Sequence, residues 1–194
     1  MSTIKVISGK YKGRRIPFKN NIYDNADITS QKVKEALFSI IDPVIKNSTF
    51  LDLFAASGQI GLEALSRDSS FVVFNDLDKK RYEFIKKNLD AIEINKDKYV
   101  VVNFHFEHVL RWLSNKENKF DIIYADPPYT KNKTGEVYVK VLSLISTLGL
   151  LKAEGIVAVQ HDAGSEPPER VNNLTITKTK KYGRTSLTIY TQET

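Results

Sequence analysis

The sequence predicts an α/β fold: a mainly parallel sheet with helices on both faces and an antiparallel hairpin at its carboxyl end. Three observations predict it. From Thr49 onward, short apolar runs alternate with helical patterns at the spacing of strand–helix units. The runs are β-branched or aromatic and bounded by turn residues, as in Phe71 to Asn75 and Phe120 to Ala125. In the tail the alternation stops, and two β-rich segments, Leu174 to Thr179 and Ser186 to Thr191, flank Lys180-Lys181-Tyr182-Gly183-Arg184. At 194 residues the chain suits one domain with a small appendage and can bury a sizeable core.

Taken in order, Ile4 to Ser8 and Arg14 to Phe18 read as two strands around a basic, Gly-containing turn. Asn20 to Ala26 is polar and reads as a loop. Thr29 or Ser30 can cap a helix whose stripe is Val33, Ala36, Leu37, Ile40, Ile41 and Val44. Lys32 and Lys34 fall off that stripe, towards solvent, and Pro43 ends or bends the helix. The alternation then runs as follows: strand Thr49 to Leu53, helix Gly58 to Ser66, strand Phe71 to Asn75, helix Asp78 to Ile92, strand Tyr99 to Phe104, helix Glu107 to Leu113, strand Phe120 to Ala125, helix Val137 to Leu148 and strand Gly155 to Gln160. Residues 1–28 form a basic extension and 29–194 the main domain.

Composition narrows the function classes. With no cysteine there is no disulfide framework, no Cys nucleophile and no Cys-based metal site, and no metal site is predicted. No signal peptide or membrane span is visible, which predicts a soluble, cytoplasmic protein. The net charge is +6, and residues 1 to 20 hold Lys5, Lys10, Lys12, Arg14, Arg15 and Lys19 without any acid. Such an arm suits a polyanion such as nucleic acid, with Lys10, Lys12, Arg14, Arg15 and Lys19 as the contacts; a solvated basic face is the plainer reading.

Three constellations carry chemistry. Asp126-Pro127-Pro128-Tyr129 ends the fourth strand, because neither proline can donate to a sheet ladder. Asp126 therefore stands at the carboxyl end of a strand, where open α/β sheets place ligands. A carboxylate, stiffened carbonyls and an aromatic face suit a planar group bearing an amino substituent, such as a nucleobase. The second constellation, Asp52-Leu53-Phe54-Ala55-Ala56-Ser57-Gly58, takes a strand through a small-residue loop to a helix N-terminus. It is neither a full dinucleotide fingerprint nor a P-loop. The third is Asp76-Leu77-Asp78 at the end of the second strand, with Asp76 placed to accept from ribose hydroxyls and Asp78 to cap a helix. All three fall on one edge of a doubly wound sheet. With no loop for a pyrophosphate, the nucleoside-bearing cofactor favoured is S-adenosylmethionine.

The tetrapeptide and the loop together resemble amino-group methyltransferases that use S-adenosylmethionine. More closely, the chain resembles the RsmD family of 16S rRNA (guanine-N2)-methyltransferases, nearly end to end. Ile7 to Ile16 matches that family's arm, Thr29 to Phe38 its entry segment, Gly61 to Arg67 the helix after the loop, and Tyr182 to Tyr190 the closing strand. The resemblance implies a Rossmann-like class I S-adenosylmethionine-dependent methyltransferase with a seven-stranded sheet. Asp126 and the Pro127 carbonyl would accept from the target amino group, with Pro128 stiffening the turn and Tyr129 stacking on an unpaired or flipped base. Asp52, Phe54, Ala55, Ser57, Gly58, Asp76 and Leu77 would hold the cofactor, and either Glu107 or His108 its adenine. The implied partner is 16S rRNA in a partly or fully assembled small subunit, approached by a monomer. An adenine-N6 or other amino-group methyltransferase acting on DNA or RNA, and a non-catalytic RNA-binding protein, are the alternatives. Ala56, Asp27-Ile28 and Arg184 depart from the family pattern. His105, His161 and Trp112 read as structural.

Overall fold

The computed structural model describes residues 2–18, 30–128, 135–165 and 167–193. Tyr129, Lys19 and the Asp27-Ile28 pair lie outside them.

The arm forms an antiparallel ribbon, β1 (Ser2–Lys5) with β2 (Arg15–Phe18). It is shorter than the sequence suggests at Ile7 and Ser8. Their N–H groups bond the Glu63 carboxylate at 2.8 and 2.9 Å, which takes them out of the ribbon. The helix α1 (Gln31–Ile45) follows, with Ser30 as its cap, and Pro43 is carried inside its last turn.

The remaining elements are β3 (Thr49–Asp52), α2 (Gln59–Ser66), β4 (Phe71–Asn75), α3 (Lys79–Ala91), β5 (Tyr99–Val102), α4 (Phe106–Asn115), β6 (Phe120–Ala125), α5 (Glu136–Thr147), β7 (Leu151–Asp162), β8 (Arg170–Val171), β9 (Leu174–Tyr182) and β10 (Thr185–Gln192). They build a sheet of order β5-β4-β3-β6-β7-β10-β9-β8. The first five strands run parallel, and β10 enters antiparallel between β7 and β9. The sheet has eight strands rather than seven. The extra one, β8, is two residues long on the far edge, too short for any periodicity to betray it. The fifth parallel strand starts four residues earlier than expected, because a register shift beside Phe120 and Ile122 absorbs Lys152 to Glu154.

Two apolar layers sandwich the sheet. One packs Leu37, Phe38 and Ile41 of α1 and Ile60 and Leu62 of α2 on Phe50, Phe74 and Tyr124, and it includes Ile4, Val6 and Ile16 of the arm. The other packs Val109 and Leu113 of α4 and Val141 and Ile145 of α5 on Leu51, Ile123 and Val157. Burial of such side chains contributes roughly 1.5–3 kcal/mol each.

Lys34 corrects the sequence reading. It is 2% exposed, not solvent-facing. Its Nζ donates to the Lys5 carbonyl at 2.7 Å and lies 3.5 Å from Glu63, itself fully buried. A helical stripe read from apolar residues alone misses a cation whose partner is far away in sequence.

Candidate active site

β3 delivers Asp52 to the carboxyl edge of the sheet, 1% exposed. Its Oδ2 accepts from the Gly61 N–H at 3.0 Å, at the start of α2. Its Oδ1 is buried and receives no hydrogen bond among the described residues. Burial, reinforced by the charge of Asp76, raises its pKa to about 7 against the pull of the Gly61 N–H. A buried acceptor without a donor has room for one more cationic or N–H partner.

The chain then turns sharply. Ala55 N–H bonds the Asn75 carbonyl at 2.8 Å, and Gly58 N–H bonds the Ala55 carbonyl at 2.6 Å. Ala56 takes φ +46° and Gly58 φ +74°, so both stand in the left-handed region. Glycine adopts that region freely, whereas an L side chain pays about 1–2 kcal/mol there. Gly61 answers a different need. A Cβ on it would stand 2.2 Å from the Phe74 ring, so only glycine lets α2 seat this close to β4.

Asp76 ends β4 and ties the two loops together. Its Oδ2 accepts from Ala56 N–H and its Oδ1 from Asp78 N–H, both at 2.8 Å. Burial raises its pKa despite these donors and the nearby Arg81. Asp78 caps α3 through the N–H groups of Lys80 and Arg81, as expected. Leu77 is 64% exposed, an apolar side chain bare at the loop's outer rim. Two asparagines that the sequence reading passed over brace this edge. Asn75 donates to the Leu53 carbonyl, and Asn103 to the carbonyls of Asp76 and Leu77.

Glu107 and His108 stand in the first turn of α4 but point to different neighbours. Glu107 meets Lys140 of α5 at 2.6 Å, which holds its pKa down. The His108 ring stacks on Phe104 at 4.8 Å. Glu107 and His108 both line a groove with Arg111, Trp112 and Asn115. Phe106, beside them, meets Phe54 of the Asp52 loop at 5.6 Å. The sequence reading passed over Phe106, and the aromatic run Phe104-His105-Phe106 is the signal that could have found this contact.

Asp126 follows β6 on the same edge, half-buried, with Pro127 buried and Pro128 exposed behind it. Its Oδ2 accepts from Gln160 Nε2 at 2.8 Å, while Gln160 Oε1 accepts from the Tyr124 hydroxyl at 2.8 Å. A carboxylate can only accept, so the amide must turn its NH₂ to Asp126 and its oxygen to the phenol. Gln160 lay inside a predicted strand with no motif to mark it. His161, its neighbour, is buried between the Asp162 carbonyl and the Thr188 hydroxyl, a structural histidine.

The structure thus gathers Asp52, Ala55, Ser57, Gly58, Asp76 and Asp126 at the carboxyl ends of three parallel strands. The arm's turn lies elsewhere. Lys10 N–H and Tyr11 N–H bond the Ser66 carbonyl and hydroxyl at 2.7 and 3.0 Å, at the far end of α2. Ser66 in turn donates to the Ser8 carbonyl. Lys10, Lys12, Arg14 and Arg15 are exposed there.

Residues 4–191 match the family model described as "Conserved hypothetical protein 95". The chain belongs to this family, the RsmD family. Proteins named "Ribosomal RNA small subunit methyltransferase D" are among its relatives. The one from Haemophilus influenzae is 32% identical, over 96% of this chain and 93% of that protein. The one from Buchnera aphidicola of Acyrthosiphon pisum is 34% identical, over 83% of this chain and 79% of that protein. Among solved structures, yhhF of Escherichia coli superposes with a TM-score of 0.82 at 28% identity, each chain covered to 99%. SMU.776, solved with SAH bound, shares the fold at a TM-score of 0.68 and 15% identity, covering 84% of this chain and 50% of that one.

The fold is that of S-adenosylmethionine-dependent methyltransferases. Against the RsmD pattern, Ala56 is the departure with a visible cost, since its backbone does adopt positive φ. Arg184, the second, is exposed in the turn between β9 and β10.

Proposed function

We propose that this RsmD-family protein transfers a methyl group from S-adenosylmethionine to the exocyclic N2 amino group of a guanine in 16S rRNA. The observation that carries this reading is the Gln160-braced carboxylate of Asp126 beside the Asp52 and Asp76 loops. The naming of its relatives as small-subunit rRNA methyltransferases supports the substrate.

Bound on this edge, S-adenosylmethionine supplies an electrophilic methyl carbon. The chain's residues fit that group. The unpaired, buried Oδ1 of Asp52 would receive the ammonium of its amino-acid tail. Asp76 would accept from the ribose, Ala55, Ser57 and Gly58 would line the tail, and Phe54, Leu77 and Glu107 or His108 would flank the adenine.

Asp126 and the Pro127 carbonyl would accept the two N–H bonds of the target amino group. The amino lone pair is delocalised into the base, and acceptors on its N–H bonds favour the rehybridised nitrogen of the transition state. Tyr129 would stack on the extruded base, a contribution of roughly 1–3 kcal/mol. The rest is alignment of nitrogen and methyl donor. No strong base is required, because the proton leaves after the nitrogen has become cationic. The arm, residues 1–28, would grip RNA backbone, with the protein acting as a monomer in the cytoplasm on a partly or fully assembled small subunit.

The test is methyl transfer from labelled S-adenosylmethionine to small subunits from a strain lacking the gene, with the product nucleoside identified by mass spectrometry. N2-methylguanosine, lost with Asp126→Ala in a folded protein, is expected. A methylated adenine, or full activity of Asp126→Ala, would overturn the assignment.

A further inference from the structure

The tip of the β9–β10 hairpin places exposed cations beside the acceptor of the proposed site. Register fixes the placement. Ala125 of β6 pairs with Val159 of β7, so Asp126 stands opposite Gln160, the residue that bonds it. Gln160 pairs with Leu187 of β10, and Leu187 pairs with Lys180 of β9. Directly opposed residues share a face of a sheet. Asp126, Gln160, Leu187 and Lys180 therefore form one lateral row, with Lys180 three strand spacings, about 14 Å, from Asp126. Two positions further on, Asp162, Thr185 and Tyr182 form the next row on the same face and carry the hairpin turn past the end of β6. The turn is fastened there, because Ala163 N–H bonds the Arg184 carbonyl at 2.8 Å.

Charge on this hairpin is one-sided. From Val171 to Gln192 there are Lys178, Lys180, Lys181 and Arg184 and not one Asp or Glu. All four are exposed, and none forms an ion pair among the described residues. Beyond the strand ends, Glu193 is engaged by Arg170 at 2.6 Å, at the end remote from the turn. Asp162, opposite Thr185, spends Oδ1 on the Gly164 N–H. The arm's turn is placed differently. It docks at the end of α2 far from the sheet edge, one eight-residue helix, about 12 Å, below the Asp52 loop.

We infer that the hairpin tip is a phosphate-contact surface for the RNA strand that presents the target base, with Lys180 on the face of the Asp126 row, Lys181 on the opposite face and Arg184 in the turn between them. The inference rests on the proposed RNA methylation for its partner. A base drawn towards Asp126 leaves its flanking phosphates near the strand ends, and among the described residues this hairpin wall is a cationic surface that stands there. The β-turn adds direction to the attraction, since Arg184 is tied to Ala163 and Thr185 pairs with both Asp162 and Tyr182. The more distant arm would then grip a separate stretch of RNA.

The experiment measures binding of 16S rRNA and of small subunits by the full chain across a salt series, for wild type, for K180Q/K181Q/R184Q and for K180E/K181E/R184E. Each phosphate contact on a single strand contributes about 0.7 to the slope of log K against log salt. The neutral variant should lose about 2 from that slope, the reversed variant should bind more weakly still, and both should bind S-adenosylmethionine as wild type does. A slope unchanged in the neutral variant, with cofactor binding intact, overturns the surface. The same holds if only a protein component of the subunit, and not naked rRNA, senses the variants. Methyl transfer is scored separately. Hairpin-dependent binding without transfer would leave this surface standing and remove the proposed reaction, and transfer without hairpin dependence would do the reverse.

Discussion

Gln160 donates to Asp126 at 2.8 Å and is itself held by the Tyr124 hydroxyl at 2.8 Å, so two groups in series fix one carboxylate. The bonds run in one direction, phenol to amide to acid. Gln160 touches no substrate in the proposed reaction, which makes it a positioning residue.

Replacing it should therefore affect turnover more than binding. Gln160→Leu is expected to lower kcat by about 10²-fold, the usual effect of a small misplacement, with KM for S-adenosylmethionine unchanged. Gln160→Glu places a like charge against Asp126, which raises the pKa of the pair and moves the acid limb of the pH–rate profile upward. Tyr124→Phe should reproduce part of the Leu effect. A flat pH response in Gln160→Glu would leave the glutamine a packing role only.

Ala56→Gly should stabilise the protein. Releasing φ +46° from an L side chain recovers about 1–2 kcal/mol, and the freer unfolded chain takes back about 0.4–1. A net gain near 1 kcal/mol raises Tm by about 2–4 °C for a chain of this size. Thermal unfolding with and without S-adenosylmethionine checks it, and a fall in Tm would show that the loop relaxes around alanine.

Asp52 gives the protein a distinctive pH response. Its folded pKa of about 7 lies above the unfolded value of about 4, so the folded chain holds the proton between them. Stability from this group is present in full below pH 4, falls as pH rises towards 7 and is level above. Asp52→Asn should flatten that window in melting curves. A cationic ligand group against Oδ1 should expel the proton, so calorimetry near neutral pH in buffers of different ionisation enthalpy should register proton release. No release would place the ligand's charge elsewhere.

Glu63 is the dock for the arm. It takes two main-chain N–H groups from the arm, Arg67 at 3.1 Å and Lys34 at 3.5 Å, all while fully buried. Lys34→Met breaks a buried pair, expected to cost about 3–5 kcal/mol. Glu63→Ala should also strip hydrogen-exchange protection from Ile7 and Ser8 while amides of β6 stay slow. Equal loss at both places would mean that the arm and the sheet open as one unit.

Much of this was legible in the sequence because local rules sufficed. Period and turn chemistry placed every parallel strand and located Asp52, Asp76 and Asp126 on one edge. The departure at Ala56 was visible only through the resemblance to the RsmD family, not through any local rule. What escaped depended on distant partners. Lys34 sits off an apolar stripe yet is buried, because Glu63 comes 29 residues later in the chain. Gln160 is one more polar residue in a strand until β6 lies against β7. Glu107 and His108 line one groove beside Trp112, a neighbourhood that spacing within a helical turn does not encode.

The arm's attachment also sets an order of events during synthesis. Its amides at Ile7 and Ser8 reach a carboxylate 56 and 55 residues further along the chain. A two-stranded ribbon is at best marginally stable alone in water. Residues 2–18 therefore lack a dock until α2 has been translated. A strongly cationic stretch thus waits, unfastened, for a carboxylate made well after it.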